Sequence, residues 1–138
     1  MGYTYSMLLI RIEPLQQFLR DQPELLFAYL FGSYANGQAN ALSDVDIAVY
    51  ASAALSTEHH EQLLSALIDL LRRRSVDLID LRAAPPVLAY EVITTGKPLF
   101  VKDTDEQNHF ERRVFLHYFD THYLRATQNR YLREHLQT

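Results

Sequence analysis

Residues 25–31 (LLFAYLF) and 45–51 (VDIAVYA) are two apolar runs of strand length, and the polar stretch between them opens on Gly32-Ser33 and closes on Asp44-Val45-Asp46. Apolar runs this short, bounded by turn residues, read as buried strands. Gly32-Ser33 closes the first run and opens a turn, where backbone N–H groups and a hydroxyl suit a polyphosphate. On a strand, residues two apart share a face and lie roughly 6.8 Å apart at ~3.4 Å per residue. Asp44 and Asp46 therefore stand side by side and repel each other. A divalent cation between them removes that penalty, and Mg²⁺ suits because it takes one or two protein carboxylates and fills its shell with water and substrate phosphates.

Composition narrows the classes further. A chain of 138 residues with 48% apolar and 22% charged residues is expected to be one folded domain with a real core. The absence of cysteine excludes disulfides, thiolate zinc sites and cysteine nucleophiles, and it is compatible with a reducing cytoplasm. A net charge of −4 without a basic block argues against a nucleic-acid coat protein, so no strong direct nucleic-acid binding is expected. No apolar stretch is long enough to span a membrane and no signal peptide is read at the N-terminus, so the expected location is cytoplasmic.

The periodicity predicts a helix over residues 6–20, with Leu8, Ile12, Leu15 and Leu19 on one face and Pro14 inside it. After the first strand, a short helix is expected over 33–39 and a loop over 40–43. Ser56-Thr57-Glu58 is helix-starting chemistry, and His60, Leu63, Leu64, Leu67, Ile68 and Leu71 mark one helical face, closing in Arg72-Arg73-Arg74. A third strand is expected over 76–81, a helix over 87–95 stopped by Gly96, and a short strand over 98–101 at an edge. Asp103-Thr104-Asp105 opens a long last helix, about 104–136, with Phe110, Val114, Tyr118, Leu124, Tyr131 and Leu132 as its apolar stripe. The order implies an α/β (α+β) fold in which a small mixed sheet is backed by helices.

The stretch from Phe31-Gly32-Ser33-Tyr34-Ala35-Asn36-Gly37 to Leu42-Ser43-Asp44-Val45-Asp46-Ile47-Ala48-Val49 resembles the polymerase beta-type nucleotidyltransferase superfamily, in its small MNT (minimal nucleotidyltransferase) branch. The family pattern is an apolar residue, Gly-Ser, a spacer of about ten residues and Asp-x-Asp between apolar residues. Gly37 and Ser43 also fit it, whereas Asn36 stands where relatives often carry a basic residue. The resemblance implies a polymerase beta-like palm core over nearly the whole chain, a single minimal nucleotidyltransferase domain over residues 1–138. It implies ATP as substrate, with Gly32 and Ser33 on its phosphates, and Asp44 and Asp46 on Mg²⁺, two ions in all.

Two-metal phosphoryl transfer commonly uses a third acid. The third strand offers Asp77 and Asp80, which are three apart and so face opposite ways. The family's third Asp falls in a similar apolar-Asp-apolar stretch, so Asp77 is expected to be catalytic and a metal ligand, and Asp80 to bond the following turn. His59-His60 is adjacent spacing that does not make a zinc site, and the remaining histidines have no ligand spacing. Arg72–Arg74 reads as a solvated helix end. Tyr118, Asp120, Tyr123, Arg125, Arg130 and Tyr131 form an aromatic and charged surface of the kind enriched where proteins dock.

After the core there is room for one long helix and none for a domain holding an acceptor, so a partner is expected to bring it. MNT proteins are commonly antitoxins of HEPN-type RNase toxins. The resemblance therefore implies a type VII-like antitoxin that transfers AMP from ATP to a toxin tyrosine, in a hetero-oligomer with that toxin. The alternatives are an antitoxin that neutralises by binding alone, and a small-molecule (aminoglycoside-like) nucleotidyltransferase.

Overall fold

The computed structural model describes residues 12–39, 43–72 and 75–136, with the side chains of 121–124 and 136 left aside. Nine elements follow one another: α1 (Ile12–Arg20), β1 (Leu25–Phe31), α2 (Ser33–Asn36), β2 (Val45–Ala51), α3 (Thr57–Leu71), β3 (Val76–Asp80), α4 (Pro86–Thr95), β4 (Lys97–Val101) and α5 (Thr104–Leu136). The four strands form one mixed sheet in the order β3-β2-β1-β4. β1 runs antiparallel to both β2 and β4, and β2 runs parallel to β3 across the α3 crossover. The expected edge position of the last strand is thus observed, and Pro98 lies on that edge strand.

Strand alternation divides the sheet into two apolar faces. Ala28 and Leu30 of β1, Val45, Ile47 and Val49 of β2, and Leu78 of β3 pack with α1 and α3. Phe27, Tyr29 and Phe31 of β1 and Ala48 and Tyr50 of β2 pack with α4 and α5. Both central strands are buried on both faces, which is why their sequences are continuous apolar runs rather than alternating ones.

Local chemistry sets the element ends. Ser56 caps α3, its hydroxyl accepting from the His59 N–H at 3.1 Å. Arg72 ends that helix in the left-handed region (φ 53), while Arg73 and Arg74 lie outside the described residues, as do Leu8 and residues 40–42. α2 stops at Asn36, short of the expected 39, because Gly37 turns left-handed (φ 82) and its N–H returns to the Ser33 carbonyl. β3 ends one residue early, at Asp80, whose side chain is committed to the turn described below. α4 begins one residue earlier than expected, with Pro86 in its first turn.

The last helix departs most from its expectation. Phe110 and Val114 are buried, but Tyr131 and Leu132 are 59% and 49% exposed. The stripe is continuous in sequence, yet only its first turns meet the sheet; the helix outruns the layer it packs on.

Two tyrosines pin α5 to the sheet. Tyr29 OH donates to Glu111 Oε1 at 2.5 Å and accepts from Gln107 Nε2 at 3.0 Å. Burial and the Glu111 bond together push the Tyr29 phenol well above its usual pKa. Replacing it leaves a charged acceptor inside the interface without its donor. Tyr29→Phe is expected to lower the unfolding free energy by about 2 kcal/mol in urea titrations, with the native fold retained.

Candidate active site

Strand pairing assembles the acids. In β1–β2 the residue opposite Asp46 is Phe31, so the chain leaving β1 at Gly32 passes directly over Asp46. In β2–β3 the residue beside Asp46 is Asp77. Asp46 has the parity of Ala48 and Tyr50, and Asp77 that of Ile79, so both side chains point to the α4/α5 face. Asp44 precedes β2 and is exposed, at the mouth of the cleft.

Gly32 takes φ 71 and ψ −151, a backbone conformation open to glycine and strained for any other residue. A methyl group at Gly32 would overlap Asp46 Oδ2. The glycine thus lets the turn close down on the carboxylate. Ser33 follows at the first helical position of α2, where helix geometry supplies no acceptor for its N–H. The Gly32 carbonyl is bonded by Ala35 N at 3.1 Å and Asn36 N at 3.2 Å, which fixes the turn.

The electrostatics follow from this crowding. Burial, with the charges of Asp77, Asp44 and Glu91 added, pushes the Asp46 carboxyl up from its ordinary 3.8 to about 6. The donor set is all hard carboxylate oxygen in an over-negative cleft, which fits Mg²⁺. Among the described residues no three acid or histidine side chains converge closely enough to hold a metal by themselves. Such a shell needs only one or two carboxylates, the rest being water and phosphate oxygen.

Asp80 is elsewhere. Its Oδ2 accepts from Leu55 N and its Oδ1 from Arg82 N, both at 3.0 Å, so it ties the β2–α3 loop to the turn after β3. The paired histidines also have other partners: His59 Nε2 lies 2.9 Å from Glu24 Oε1, and His60 Nε2 donates to the Leu78 carbonyl at 2.7 Å.

Glu91 is the acid that sequence reasoning missed. α4 starts beside Tyr50 and Leu81 and ends at Gly96, against Leu30 and Phe31, so it runs back toward the cleft. Leu88 and Ile79 both pack against the apolar cluster of that face. One helical turn further on, Glu91 adds its charge to Asp46. No local motif marks it, because only the packing of α4 on the sheet brings it there.

The raised Asp46 pKa has a stability consequence in metal-free protein. The folded state holds the Asp46 proton between pH 3.8 and about 6, where the unfolded state has released it. Stability from this group therefore falls as pH rises through that window. In thermal melts with EDTA, Asp46→Asn is expected to be more stable than the wild type above pH 6, with the advantage shrinking toward pH 4.

Known proteins match this arrangement. The polymerase beta nucleotidyltransferase family model matches residues 13–105, from α1 into the start of α5. Protein adenylyltransferase MntA of Shewanella oneidensis is 41% identical over 92 residues, 66% of this chain and 66% of that protein. A crystal structure of a toxin–antitoxin with AMP-PNP gives a TM-score of 0.74 at 33% identity, over 90% of this chain and 97% of the matched one. Tri-AMPylated Shewanella oneidensis HEPN toxin in complex with MNT antitoxin gives 0.69 at 31% identity, over 94% and 97%. A match that runs through every strand of the sheet, with the Gly-Ser turn and the acids inside it, makes this chain a member of the polymerase beta nucleotidyltransferase family.

Proposed function

We propose that this chain is the antitoxin of an MNT–HEPN pair, acting in the cytoplasm, and that it transfers AMP from ATP to a tyrosine hydroxyl of a HEPN-type RNase toxin. The observation that carries this reading is the acid cleft itself: Asp77 beside Asp46 on adjacent strands, with the Gly32 turn closed on Asp46. Its likeness to an adenylyltransferase and to an AMPylated toxin complex supplies the substrate and the partner.

In this reading Ser33 and the N–H groups of the Gly32-Ser33 turn hold the outer phosphates. Asp44, Asp46 and Asp77 would hold Mg²⁺, which when bound would supply positive charge for the triphosphate and the attacking hydroxyl. Asp77 faces the acceptor and takes its proton. The tyrosine oxygen bonds to the α-phosphorus, the bond from that phosphorus to its bridging oxygen breaks, and pyrophosphate leaves with the electron pair. Asp80 plays no part, because both its oxygens are used by backbone N–H groups.

The toxin docks on α5, whose Leu116, Phe119 and Tyr131 are 61%, 55% and 59% exposed. This surface also favours a second reading, in which covering the toxin suffices and transfer is not needed.

The two readings separate in one experiment. Intact mass of the partner toxin after incubation with this protein, ATP and Mg²⁺ is expected to rise in steps of one AMP, and not with Asp44→Asn or Asp46→Asn. A stable complex without mass gain would leave neutralisation by binding. Gly32→Ala, which drives a methyl group into Asp46, is expected to slow transfer by about a hundredfold while the fold survives. A wild-type rate in that variant would remove Gly32 from the site.

A further inference from the structure

At the far end of β2 from the acids lies a cavity of about 380 Å³, between the sheet, the start of α4 and the first turns of α5. Tyr50 forms its floor. The Tyr50 ring is stacked on Phe27 at 4.6 Å and tilted against Phe110 at 4.7 Å, so it is held rigidly. Arg82 lies over the same ring, its guanidinium carbon 4.3 Å from the centroid, and its Nε donates to the Ala51 carbonyl at 2.6 Å. From α5, Arg113 Nη2 donates to Tyr50 OH at 3.0 Å, and Tyr50 OH donates onward to Glu106 Oε1 at 3.3 Å.

Both guanidiniums are thus positioned by the same tyrosine and face one concavity. Among the described residues no carboxylate lines it, and neither arginine is in a salt bridge. Each spends one N–H on these contacts and keeps the rest of its fork, the geometry that grips phosphate or carboxylate oxygens. The remaining wall is apolar at Leu81, Ala84, Pro86 and Val114 and also carries His117. Its volume falls in the small-molecule range and exceeds what a bare inorganic anion needs. Asp46 and Tyr50 are four residues apart on one strand, about 14 Å at ~3.4 Å per residue, so the cavity is separate from the acid cleft.

We propose that this cavity is a second ligand site, taking a small organic phosphate with a planar body: the phosphate between Arg82 and Arg113, the ring on the apolar wall. The proposal stands on the cavity and not on adenylyl transfer.

The test uses AMP as probe, titrated in EDTA into the full chain and followed by amide NMR shifts. Saturable shifts are expected around Arg82, Ala84 and Arg113. Affinity is expected to fall about tenfold or more in Arg113→Gln and in Arg82→Gln, the loss of a charge-assisted contact. It is expected to be unchanged in Asp46→Asn, and weaker for adenosine and for inorganic phosphate. Arg113→Lys, which keeps the charge and loses the fork, should bind in between. No saturable shift at millimolar AMP would overturn the proposal. So would binding that survives in both arginine variants, or saturable shifts centred on Gly32, Ser33 and Asp46, which would put the nucleotide in the acid cleft. Unchanged shifts elsewhere in the spectrum show that the variants are folded.

Discussion

Two like charges side by side on neighbouring strands destabilise a sheet, yet the β2–β3 register sets Asp46 next to Asp77. The register is held by what lies on the other face of the same strands. Val45, Ile47 and Val49 of β2 and Leu78 of β3 are buried against α1 and α3. A slip of one residue would turn those side chains outward and push Asp46 into the apolar core. Burial on one face therefore forces the repulsion on the other. The same pairing logic sets Phe31 opposite Asp46 and lays the Gly32 turn on it.

The two faces of the sheet consequently do different work. The α1/α3 face is apolar throughout its core and fixes the register. The α4/α5 face carries polar chemistry at both ends of the strands: the acids near Gly32, and the Tyr29 and Tyr50 networks toward the other end. α4 bridges the two, with Ala89 at the cationic cavity and Glu91 adding its charge to Asp46. Opposite charge at opposite ends of one face gives an acidic chain a local place for anions that its net charge of −4 does not suggest.

What was legible in the sequence is what is encoded locally. β1 and β2 were readable to the residue because their apolar runs end abruptly at Gly32 and begin after Asp44. The Gly-Ser turn and the acid spacing sit on consecutive elements, so their proximity follows from one hairpin-like pairing. Parity alone says that Asp77 and Asp80 of β3 face opposite ways; the preference for Asp77 came from the family resemblance, and the contacts of Asp80 needed Leu55 and Arg82 to be seen around it. Glu91, Arg82 and Arg113 were not legible, because each gains its meaning from a packing contact between distant elements. The extent of α5 was read correctly and its burial was not: helical periodicity predicts a face, and says nothing about how far the neighbouring layer extends.

That excess length is where the fold and the proposed partner meet. α5 has 33 residues, about 50 Å at 1.5 Å per residue. Among the described residues, its last aromatic contacts with the body are around Tyr90, which stacks on Tyr118 at 3.8 Å and meets Phe115 and Phe119 edge-on. Beyond them, the contacts of the described residues are those of a helix with itself, such as His135 Nδ1 with the Tyr131 carbonyl at 2.9 Å. An uncovered helix of that length is marginal in water, since most helical stability comes from burying a face. In the proposed complex the toxin covers the outer half, and the burial that orders α5 also binds the acceptor-bearing partner. The inner half of the same helix is pinned to β1 and β2 through Tyr29 and Tyr50, and β2 carries Asp46. A single continuous helix thus links the docking surface to the strand that holds the acids, and rigid positioning of a bound acceptor requires that continuity.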